Sequence, residues 1–232
     1  MTKQLTFDDH RRAQPPTWGG FRKGAGRKAR RPGIVHHVRR TSLKRECPAH
    51  VTLRVQKGIP SLRRRAFVRE FQASLGEACS RSGFRVVHYS IQTNHVHLIV
   101  EANGKRALAC GMKSIGARLA RAVNRCFDRS GPVLDGRYHL RLLETPRQVR
   151  NALAYVLLNA RMHWKQRRGV APPVSIDEAS SGRWFRGWRD RVKRALPRGD
   201  PEVAQPRTWL LRKGWRKHGL IHPDEVPSCA RA

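Results

Sequence analysis

Val86–Glu101, with the sequence VVHYSIQTNHVHLIVE, decides the fold that we predict for this chain. It contains two short apolar runs separated by the polar residues 92–94, a pattern that predicts two strands joined by a turn. In the second run Val96, Leu98 and Val100 alternate with His95, His97 and Ile99. Side chains two residues apart on a strand project from the same face, so the two imidazoles are predicted to lie side by side. Such a pair can bind a metal through neutral ring nitrogens, or it can be two solvated histidines on a half-buried strand.

The composition favours a nucleic-acid partner. The chain has 232 residues, with 49 lysines and arginines against 16 acidic residues and a formal charge of +33. This excess is larger than a solvated surface needs, and it indicates binding to a polyanion, most simply nucleic acid. A membrane surface is the alternative, but the sequence has no long apolar run and no clean amphipathic anchor. We therefore expect a nucleic-acid partner and no membrane.

The first residues and the cysteines predict a cytoplasmic protein. The start, MTKQLTFDDH, is polar and is not a secretory signal. The cysteines are odd in number and form no C-x-x-C pair: Cys47, Cys79, Cys110, Cys126 and Cys229. Their spacing argues against a zinc ribbon and against a disulfide framework, and it fits a reducing cell interior.

At this length the chain can bury one core of ordinary size with extensions, or two small domains. We divide it into a basic arm over residues 1–46, a core domain over 47–164 and a basic, tryptophan-containing extension over 165–232. Within the arm, the stretch RKGAGRKARRPG is slim enough to follow a DNA minor groove. Its candidate nucleic-acid contacts are Arg22, Lys23, Arg27 and Lys28. The alternative is a disordered tail that adds only non-specific affinity.

The periodicity of the core domain predicts an α+β fold. Strands are predicted over residues 50–56, in the pair within 86–101 and over 137–144, and helices over 61–82 and 105–128. A further helix begins at Thr145, with Pro146 at its first position and Gln148 completing a capping box. This order is that of a ferredoxin-like, RRM-like split βαβ antiparallel sheet with an added C-terminal helix. We expect the helices on one face of the sheet and the other face free for a ligand.

Two sets of polar side chains lie beside the apolar stripes of the predicted helices. The first set is a row of arginines at spacings of three and four, Arg118, Arg121, Arg125 and Arg129. This row can serve solubility alone, or it can contact a nucleic-acid backbone. On the last helix Tyr155 and Asn159 are four residues apart, so they share a face away from the buried stripe. Tyr155 is either a reactive group or an ordinary surface tyrosine.

The composition changes again beyond residue 164. Residues 165–183 are predicted to form a loop, and the aromatic residues that follow stand among arginines and lysines: Trp184, Phe185, Trp188, Trp209 and Trp215. These rings can stack on unpaired bases, or they can pin the extension onto the core domain.

Three stretches together resemble the REP-associated tyrosine transposases, which are single-tyrosine HUH transposases of bacteria. They are NHVHLIV at 94–100, GRYH at 136–139 and AYVLLN at 154–159, and the resemblance covers residues 50–163, about half of the chain. Two positions depart from the family pattern. Thr93 stands where proline is usual before the Asn-His pair, and Ala160 follows Asn159 where proline is usual. Neither departure removes a reacting group.

The resemblance implies a specific chemistry. His95, His97 and Asn159 are expected to bind a divalent metal, Mg²⁺ or Mn²⁺, and Tyr155 is expected to be the nucleophile. The implied substrate is single-stranded DNA with a hairpin, in the cytoplasm of a bacterium at its nucleoid. Cleavage is expected to give a 5′-phosphotyrosine and a free 3′-hydroxyl that can reverse the step. Relatives work as monomers or as homodimers that exchange the tyrosine helix, so we expect one of these two states.

Three other functions are compatible with the same residues. A non-catalytic module could bind RNA or DNA on the open sheet, although only Tyr89 and Tyr138 supply aromatic rings on the predicted strands. A domesticated transposase could cleave DNA without moving its own gene. An HUH replication initiator or relaxase would be accompanied by repeated origin sequences near its gene.

Overall fold

The computed structural model describes residues 47–78, 80, 81, 83–190 and 200–227, and over these residues the fold is α+β, as predicted. The strands are β1 Ala49–Arg54, β2 Ser80–Arg81, β3 Phe84–Ile91, β4 His95–Ala102 and β5 His139–Leu142. The helices are α1 Arg65–Gly76, α2 Lys105–Cys126, α3 Pro146–Leu157, α4 Asn159–Arg168 and α5 Trp209–Arg212, with 3₁₀ turns at Ser181–Trp184 and Gly214–His218. The predicted arm over residues 1–46, with its candidate contacts Arg22, Lys23, Arg27 and Lys28, lies outside the described residues.

The strands form one antiparallel sheet in the order β2-β3-β4-β1-β5. Strand β4 lies between β3 and β1, so its side chains have neighbours on both sides. In the register of β1 with β4, Thr52 is opposite His97 and Arg54 is opposite His95. In the register of β1 with β5, Thr52 is opposite His139. The polar face of β4 therefore continues across β1 to β5.

Helices α1 and α2 cover the first face of the sheet and form the larger apolar core. Val96, Leu98 and Val100 of β4 are all fully buried there, as the alternation predicted. Helix α2 lies very close to β3, because a Cβ at Gly111 would be 2.2 Å from Cγ of Phe84. Only glycine permits that approach.

The second face is covered as well, and the prediction that it is free for a ligand was wrong. Val87 of β3 and Ile99 of β4 are buried in a second apolar core beneath α3 and the C-terminal segment. The second face is covered because β3 has apolar residues on both of its faces, with a bulge between Val86 and His88. Within the described residues, the part of this face on β1 and β5 stays accessible, and its exposed side chains are Arg54, His139 and Arg141.

Helix α3 begins where the sequence predicted. Thr145 is the N-cap, its hydroxyl accepts from the backbone N–H of Gln148, and the Gln148 side chain accepts from the backbone N–H of Thr145. Helix α1 is shorter than the predicted 61–82. It begins at Arg65 because the N–H of Leu62 donates to the turn carbonyl of Thr93, which holds the preceding residues outside the helix.

The tryptophans of the extension mostly pin it onto the core, the second of the two roles predicted for them. Trp215 is 2% exposed and its indole N–H donates to the carbonyl of Leu211. The indole N–H of Trp188 donates to the carbonyl of Gly182, whereas Trp209 is 52% exposed. None of the helices among the described residues has the length and apolar character that crossing a bilayer requires.

Candidate active site

His95 and His97 direct ring nitrogens toward each other. They lie on the second face of β4, as the strand period predicted, and their Nε2 atoms are 3.0 Å apart. The rings are nearly perpendicular, with centroids separated by 4.6 Å. The 3.0 Å between the Nε2 atoms is a hydrogen-bond distance, and it is also compatible with two adjacent ligand atoms of an octahedral metal at roughly 2.1 Å, which are about 3.0 Å apart.

Hydrogen bonds at the opposite ring nitrogens orient both imidazoles. Nδ1 of His97 is 3.1 Å from Nε2 of His50 and 3.1 Å from the hydroxyl of Thr52. Nδ1 of His95 is 2.8 Å from the amide oxygen of Asn94, which can only accept. The hydrogen of His95 is thereby assigned to Nδ1, and its Nε2 carries the lone pair. The same tautomer of His97 leaves two lone pairs facing each other, an arrangement that a cation stabilises.

Burial keeps the three imidazoles neutral. Loss of water is the largest cause in each case, and it lowers the pKa of His50 and of His95 to about 4 and that of His97 to about 2. Nearby positive groups add to the effect, with His139 and Arg141 beside His50. Neutral imidazole is the form that binds a metal.

Tyr155 stands against this histidine cluster within the same chain. It is half-buried on α3, and its ring centroid is 5.1 Å from that of His97 and 5.8 Å from that of His50, edge-on in both cases. Val149, Leu153 and Val156 bury the adjacent stripe of α3 in the second core. Packing of that stripe therefore holds the tyrosine over β4 and β1.

The predicted single helix is interrupted after Tyr155. Leu158 has φ −110° and ψ 14°, which ends α3 and lets α4 start at Asn159. Asn159 is fully buried, and among the described residues neither its Oδ1 nor its Nδ2 has a hydrogen-bond partner. An amide buried in this way costs about 1–3 kcal/mol. His163, one turn further along α4, lowers the pKa of both His95 and His97 by its charge, so this turn of α4 lies beside the pair.

These residues fit a divalent metal. Within the described part of the chain, no group of three histidine, cysteine or acidic side chains is arranged to hold a metal ion, so a third protein ligand would come from another residue type. Asn159 has the unused oxygen, and it lies between Tyr155 and His163, which both neighbour the pair. Two imidazoles and one amide oxygen suit Mn²⁺ and are tolerable to Mg²⁺.

The arginine row lies away from this cluster. Helix α2 packs on the first face of the sheet, whereas the histidines and Tyr155 occupy the second. Arg118 and Arg125 form ion pairs with Glu77 and Glu70 of the α1 region, at 2.8 and 2.7 Å. Arg129 donates to the side-chain oxygen of Asn124 and the carbonyl of Pro132, and Arg121 is exposed. As nucleic-acid contacts these four arginines stay a prediction.

The sequence-based interpretation overlooked His50, Thr52 and His163. The signal for the first two was present, because they occupy the polar positions of the strand HVTLR in alternation with Val51 and Leu53. His163 follows Asn159 by four residues, which places the two on one face of α4. Strand pairing was needed to bring His50 and Thr52 to His97.

Comparison with known proteins finds a family model that matches part of the chain. Residues 44–140 match the model of the family described as "Transposase IS200 like", Y1_Tnp. This segment includes His95 and His97 and ends before Tyr155 and Asn159. No curated protein matches the sequence.

Solved structures of three proteins are similar to parts of this chain at low sequence identity. A REP-associated tyrosine transposase bound to a REP hairpin is 12% identical, with 60% of this chain and 89% of that chain covered and a TM-score of 0.42. A putative transposase from Deinococcus radiodurans is 14% identical over 65% of this chain and all of that chain, with a TM-score of 0.36. A bacterial tRNA(His) guanylyltransferase-like protein in complex with ATP is 10% identical over 58% of this chain and 66% of that chain, with a TM-score of 0.40.

All three TM-scores are below 0.5, so the assignment rests on the sequence match rather than on these structures. The matched segment contains β1 to β4 with α1 and α2, the part of the sheet that carries the histidine pair. The resemblance inferred from the motifs is confirmed to this extent: residues 44–140 match the family model of the IS200-like transposases.

Proposed function

We propose that the chain cleaves and rejoins single-stranded DNA through a 5′-phosphotyrosine on Tyr155, with a divalent metal held by His95, His97 and Asn159. The observation that carries the proposal is the edge-on contact of Tyr155 with His97, at 5.1 Å between ring centroids. It joins a nucleophile-bearing helix to a histidine pair whose Nε2 atoms are 3.0 Å apart.

The proposed metal site uses groups with matching chemistry. The imidazoles of His95 and His97 are neutral, and the amide of Asn159 is buried without another partner among the described residues. A metal bound there supplies Lewis-acid polarisation of the scissile phosphate. His50 and Thr52 fix the ring of His97 through its Nδ1, which keeps Nε2 directed at the site.

The reaction needs two bond changes at one phosphorus atom. The Tyr155 oxygen attacks the phosphorus and gives up its proton, and the bond from phosphorus to the 3′-oxygen breaks, so that the 3′-oxygen leaves as a hydroxyl. The 5′-phosphate is then joined to Tyr155, and attack by a 3′-hydroxyl restores a phosphodiester and frees the tyrosine. The phosphodiester energy is conserved, so no nucleotide cofactor is required.

The accessible part of the second face suits a DNA strand. Arg54, His139 and Arg141 are exposed on β1 and β5, beside the histidine cluster. They lie close enough to act on the histidines electrostatically. His139 and Arg141 help to lower the pKa of His50, and Arg54 helps to lower the pKa of His95. Cations at this position can hold the phosphates that flank the scissile bond. A hairpin in that strand, as the family resemblance implies, is part of the proposal.

The test is a cleavage assay on an end-labelled, single-stranded DNA hairpin taken from repeats that flank the gene, with Mn²⁺ present. Wild type is expected to form a protein–DNA adduct that survives denaturation, and Tyr155→Phe is expected to form none. Tyr138→Phe is the matched control, because it removes a second tyrosine hydroxyl near β5, and it should retain the adduct.

Two outcomes would contradict the proposal. An adduct that persists in Tyr155→Phe would assign the nucleophile to another residue. Tight binding without cleavage by wild type, in both Mg²⁺ and Mn²⁺, would favour the non-catalytic binding module.

A further inference from the structure

Helix α4 carries an exposed tryptophan close to the proposed metal site. The helix begins at the buried Asn159 and passes His163, whose charge lowers the pKa of both histidines of the pair. Trp164 follows and is 38% exposed. At 1.5 Å per residue it lies about 7.5 Å along the helix axis from Asn159. A stacked strand advances about 3.4 Å per nucleotide, so only a few nucleotides separate the indole from a phosphate at the metal site.

One face of the Trp164 ring is open to planar groups from the solvent. The guanidinium of Arg168, an exposed residue one turn further along the helix, lies over the indole at 4.8 Å from the ring centroid. Because Arg168 reaches this face from the solvent side, a base can reach it too. Nucleobases stack on indole rings and on guanidinium planes alike, so a base here would be held between Trp164 and Arg168.

The surface of α4 around this ring is basic. The helix contains no aspartate or glutamate. Arg161 donates to the carbonyls of Pro172 and Asp224, which anchors the helix. The other basic residues are exposed and have no ion pair within the described residues: Lys165, Arg167 and Arg168. A second copy of this chain would bring the same excess of positive charge, formally +33, to this face, so a polyanion fits it better.

Arg167 links the metal site to the Trp164 ring. Asn159, His163 and Arg167 follow at intervals of four, so they form one row along the helix. Nε of Arg167 donates to the carbonyl of His163, which holds the guanidinium beside this row. Trp164 is three residues before Arg167 and is therefore its neighbour on the helix surface. A phosphate bound by Arg167 would place an adjacent base against the indole.

We propose that Trp164 and Arg168 stack one unpaired base of the DNA strand near the cleaved bond, with an adjacent phosphate at Arg167. The inference deepens the proposed function and rests on it for the path of the strand through the histidine–tyrosine site. Trp164 takes no part in the bond changes, so it is a positioning residue. The helix that carries it follows the matched residues 44–140.

Trp209 provides a matched control. It is more exposed than Trp164, at 52%, and Nζ of Lys217 lies 5.2 Å from its ring centroid. The residue before it donates to Glu101, at the opposite end of β4 from His95. Those two ends of the strand are about 20 Å apart. Both tryptophans are therefore exposed beside a cation, but Trp209 lies far from the histidine pair.

The first experiment measures DNA affinity with the full chain carrying Tyr155→Phe, in buffer without divalent metal, so that no step depends on cleavage. The probe is a DNA hairpin with single-stranded flanks, labelled for fluorescence anisotropy. Adding Trp164→Ala should weaken binding about tenfold, whereas Trp164→Phe should stay within about threefold because an aromatic face remains. Trp209→Ala should weaken binding about twofold at most, because it removes no stacked base. Equal losses for the two alanine variants, with both folded by circular dichroism, would overturn the proposal.

The second experiment locates the stacked base in the same Tyr155→Phe background. The flanks of the hairpin carry a single abasic site at each position in turn. One position should cost about tenfold in affinity with Trp164 present and nothing further with Trp164→Ala, because the same contact is already lost. With Trp164 in place, 5-iodouracil at that position should crosslink to it, as mass spectrometry identifies. Losses that add fully, or crosslinks confined to Trp209, would overturn the proposal.

A third measurement tests the phosphate contact. Arg167→Gln should reduce the slope of log affinity against log salt concentration by about 0.7, the value for one phosphate contact on a single strand. Lys165→Gln is the matched control, because Lys165 is exposed on the same helix but lies roughly 160° around its axis from Arg167. It should leave the slope unchanged. An equal reduction in both variants would contradict a phosphate site at Arg167.

Sedimentation equilibrium tests whether a second copy of the chain covers this face instead. The oligomeric state should be the same with and without Trp164→Ala. Conversion of a dimer into a monomer, with unchanged DNA affinity, would make this face a protein interface and overturn the proposal. Failure of the proposed function would look different, as an absence of the covalent adduct from wild type with Mn²⁺, whereas affinity and crosslinks are measured without cleavage.

Discussion

The Nδ1 atom of His97 and the Nε2 atom of His50 are 3.1 Å apart, which joins the histidine pair of β4 to the neighbouring strand β1. His50 also lies edge-on to Tyr155, with centroids 5.8 Å apart. One residue thereby contacts both the proposed metal ligand and the proposed nucleophile. The resemblance based on sequence motifs assigned it no role, and we propose that it positions His97.

His50→Ala should weaken metal binding although His50 is not proposed as a ligand. Loss of a hydrogen-bonding partner behind a metal-binding histidine typically costs about 10–100-fold in metal affinity. Isothermal titration with Mn²⁺ measures this effect, and His50→Gln should restore part of the affinity because its amide can accept from Nδ1 of His97. Unchanged affinity in His50→Ala would show that His97 is oriented without it.

Asn159→Leu should separate stability from function. The amide of Asn159 is fully buried with no hydrogen-bond partner among the described residues, and replacing it with an apolar side chain of similar size removes a penalty of about 1–3 kcal/mol. Without metal, the variant should therefore have an equal or higher free energy of unfolding in urea. Its Mn²⁺ affinity should fall, since the third ligand is gone. A less stable variant with unchanged Mn²⁺ affinity would assign Asn159 to the core alone.

Glu101→Ala should loosen the C-terminal segment and lower the free energy of unfolding by about 3 kcal/mol, because a buried charge loses its partner. The Glu101 carboxylate is 4% exposed, lies 3.8 Å from the Arg85 guanidinium and accepts from the hydroxyl and backbone N–H of Thr208. Urea unfolding and limited proteolysis near residue 207 measure the two effects.

Glu77→Ala is the control for that substitution, since its ion pair with Arg118 is at the surface, with the Glu77 side chain 70% exposed. It should cost less than about 1 kcal/mol. Equal losses for the two variants would show that Glu101 contributes no more than a surface carboxylate.

His88 should make the folded state sensitive to acid. Its burial lowers its pKa from 6.5 to about 3, so below pH 6.5 the unfolded chain takes up a proton that the folded chain does not. The stability contributed by neutral His88 is fully present above pH 6.5 and is lost as the pH falls toward 3. Between pH 8 and pH 5.5 the loss is about 1.4 kcal/mol.

Urea unfolding of wild type and of His88→Gln at those two pH values isolates this contribution. The pH-dependent change in unfolding free energy should be smaller in the variant by that amount, because the other titrating groups are common to both proteins. The same pH dependence in both would mean that His88 is protonated in the folded state.

Local sequence patterns predicted the strand faces and the helix start, which depend on residues close together in the sequence. The alternation in β4 placed His95 and His97 together and Val96 in the core, and the Thr145 capping box marked the start of α3. The interruption at Leu158 was not predictable from local signals, because neither proline nor glycine marks it. Its cause lies in tertiary packing, which seats α3 over the sheet and turns Asn159 into the interior.

Long-range contacts were the other part that the sequence did not reveal. Whether Tyr155 meets the histidines of its own chain depends on how α3 folds back across β4, and the structure shows that it does. His50 reaches His97 only through the pairing of β1 with β4, a register set by the whole sheet. Helix α3 and the C-terminal segment cover the second face of β3. Apolar residues on both faces of that strand indicated this, but the prediction of an open sheet did not take them into account.

Identification of the DNA-linked residue by mass spectrometry tests the central claim most directly. Wild-type protein is incubated with the single-stranded hairpin and Mn²⁺, denatured, digested with nuclease and protease, and its peptides are sequenced. The account predicts a nucleotide joined through its 5′-phosphate to Tyr155. A nucleotide on Tyr138 or any other residue, or cleaved DNA without a linked peptide, would contradict it.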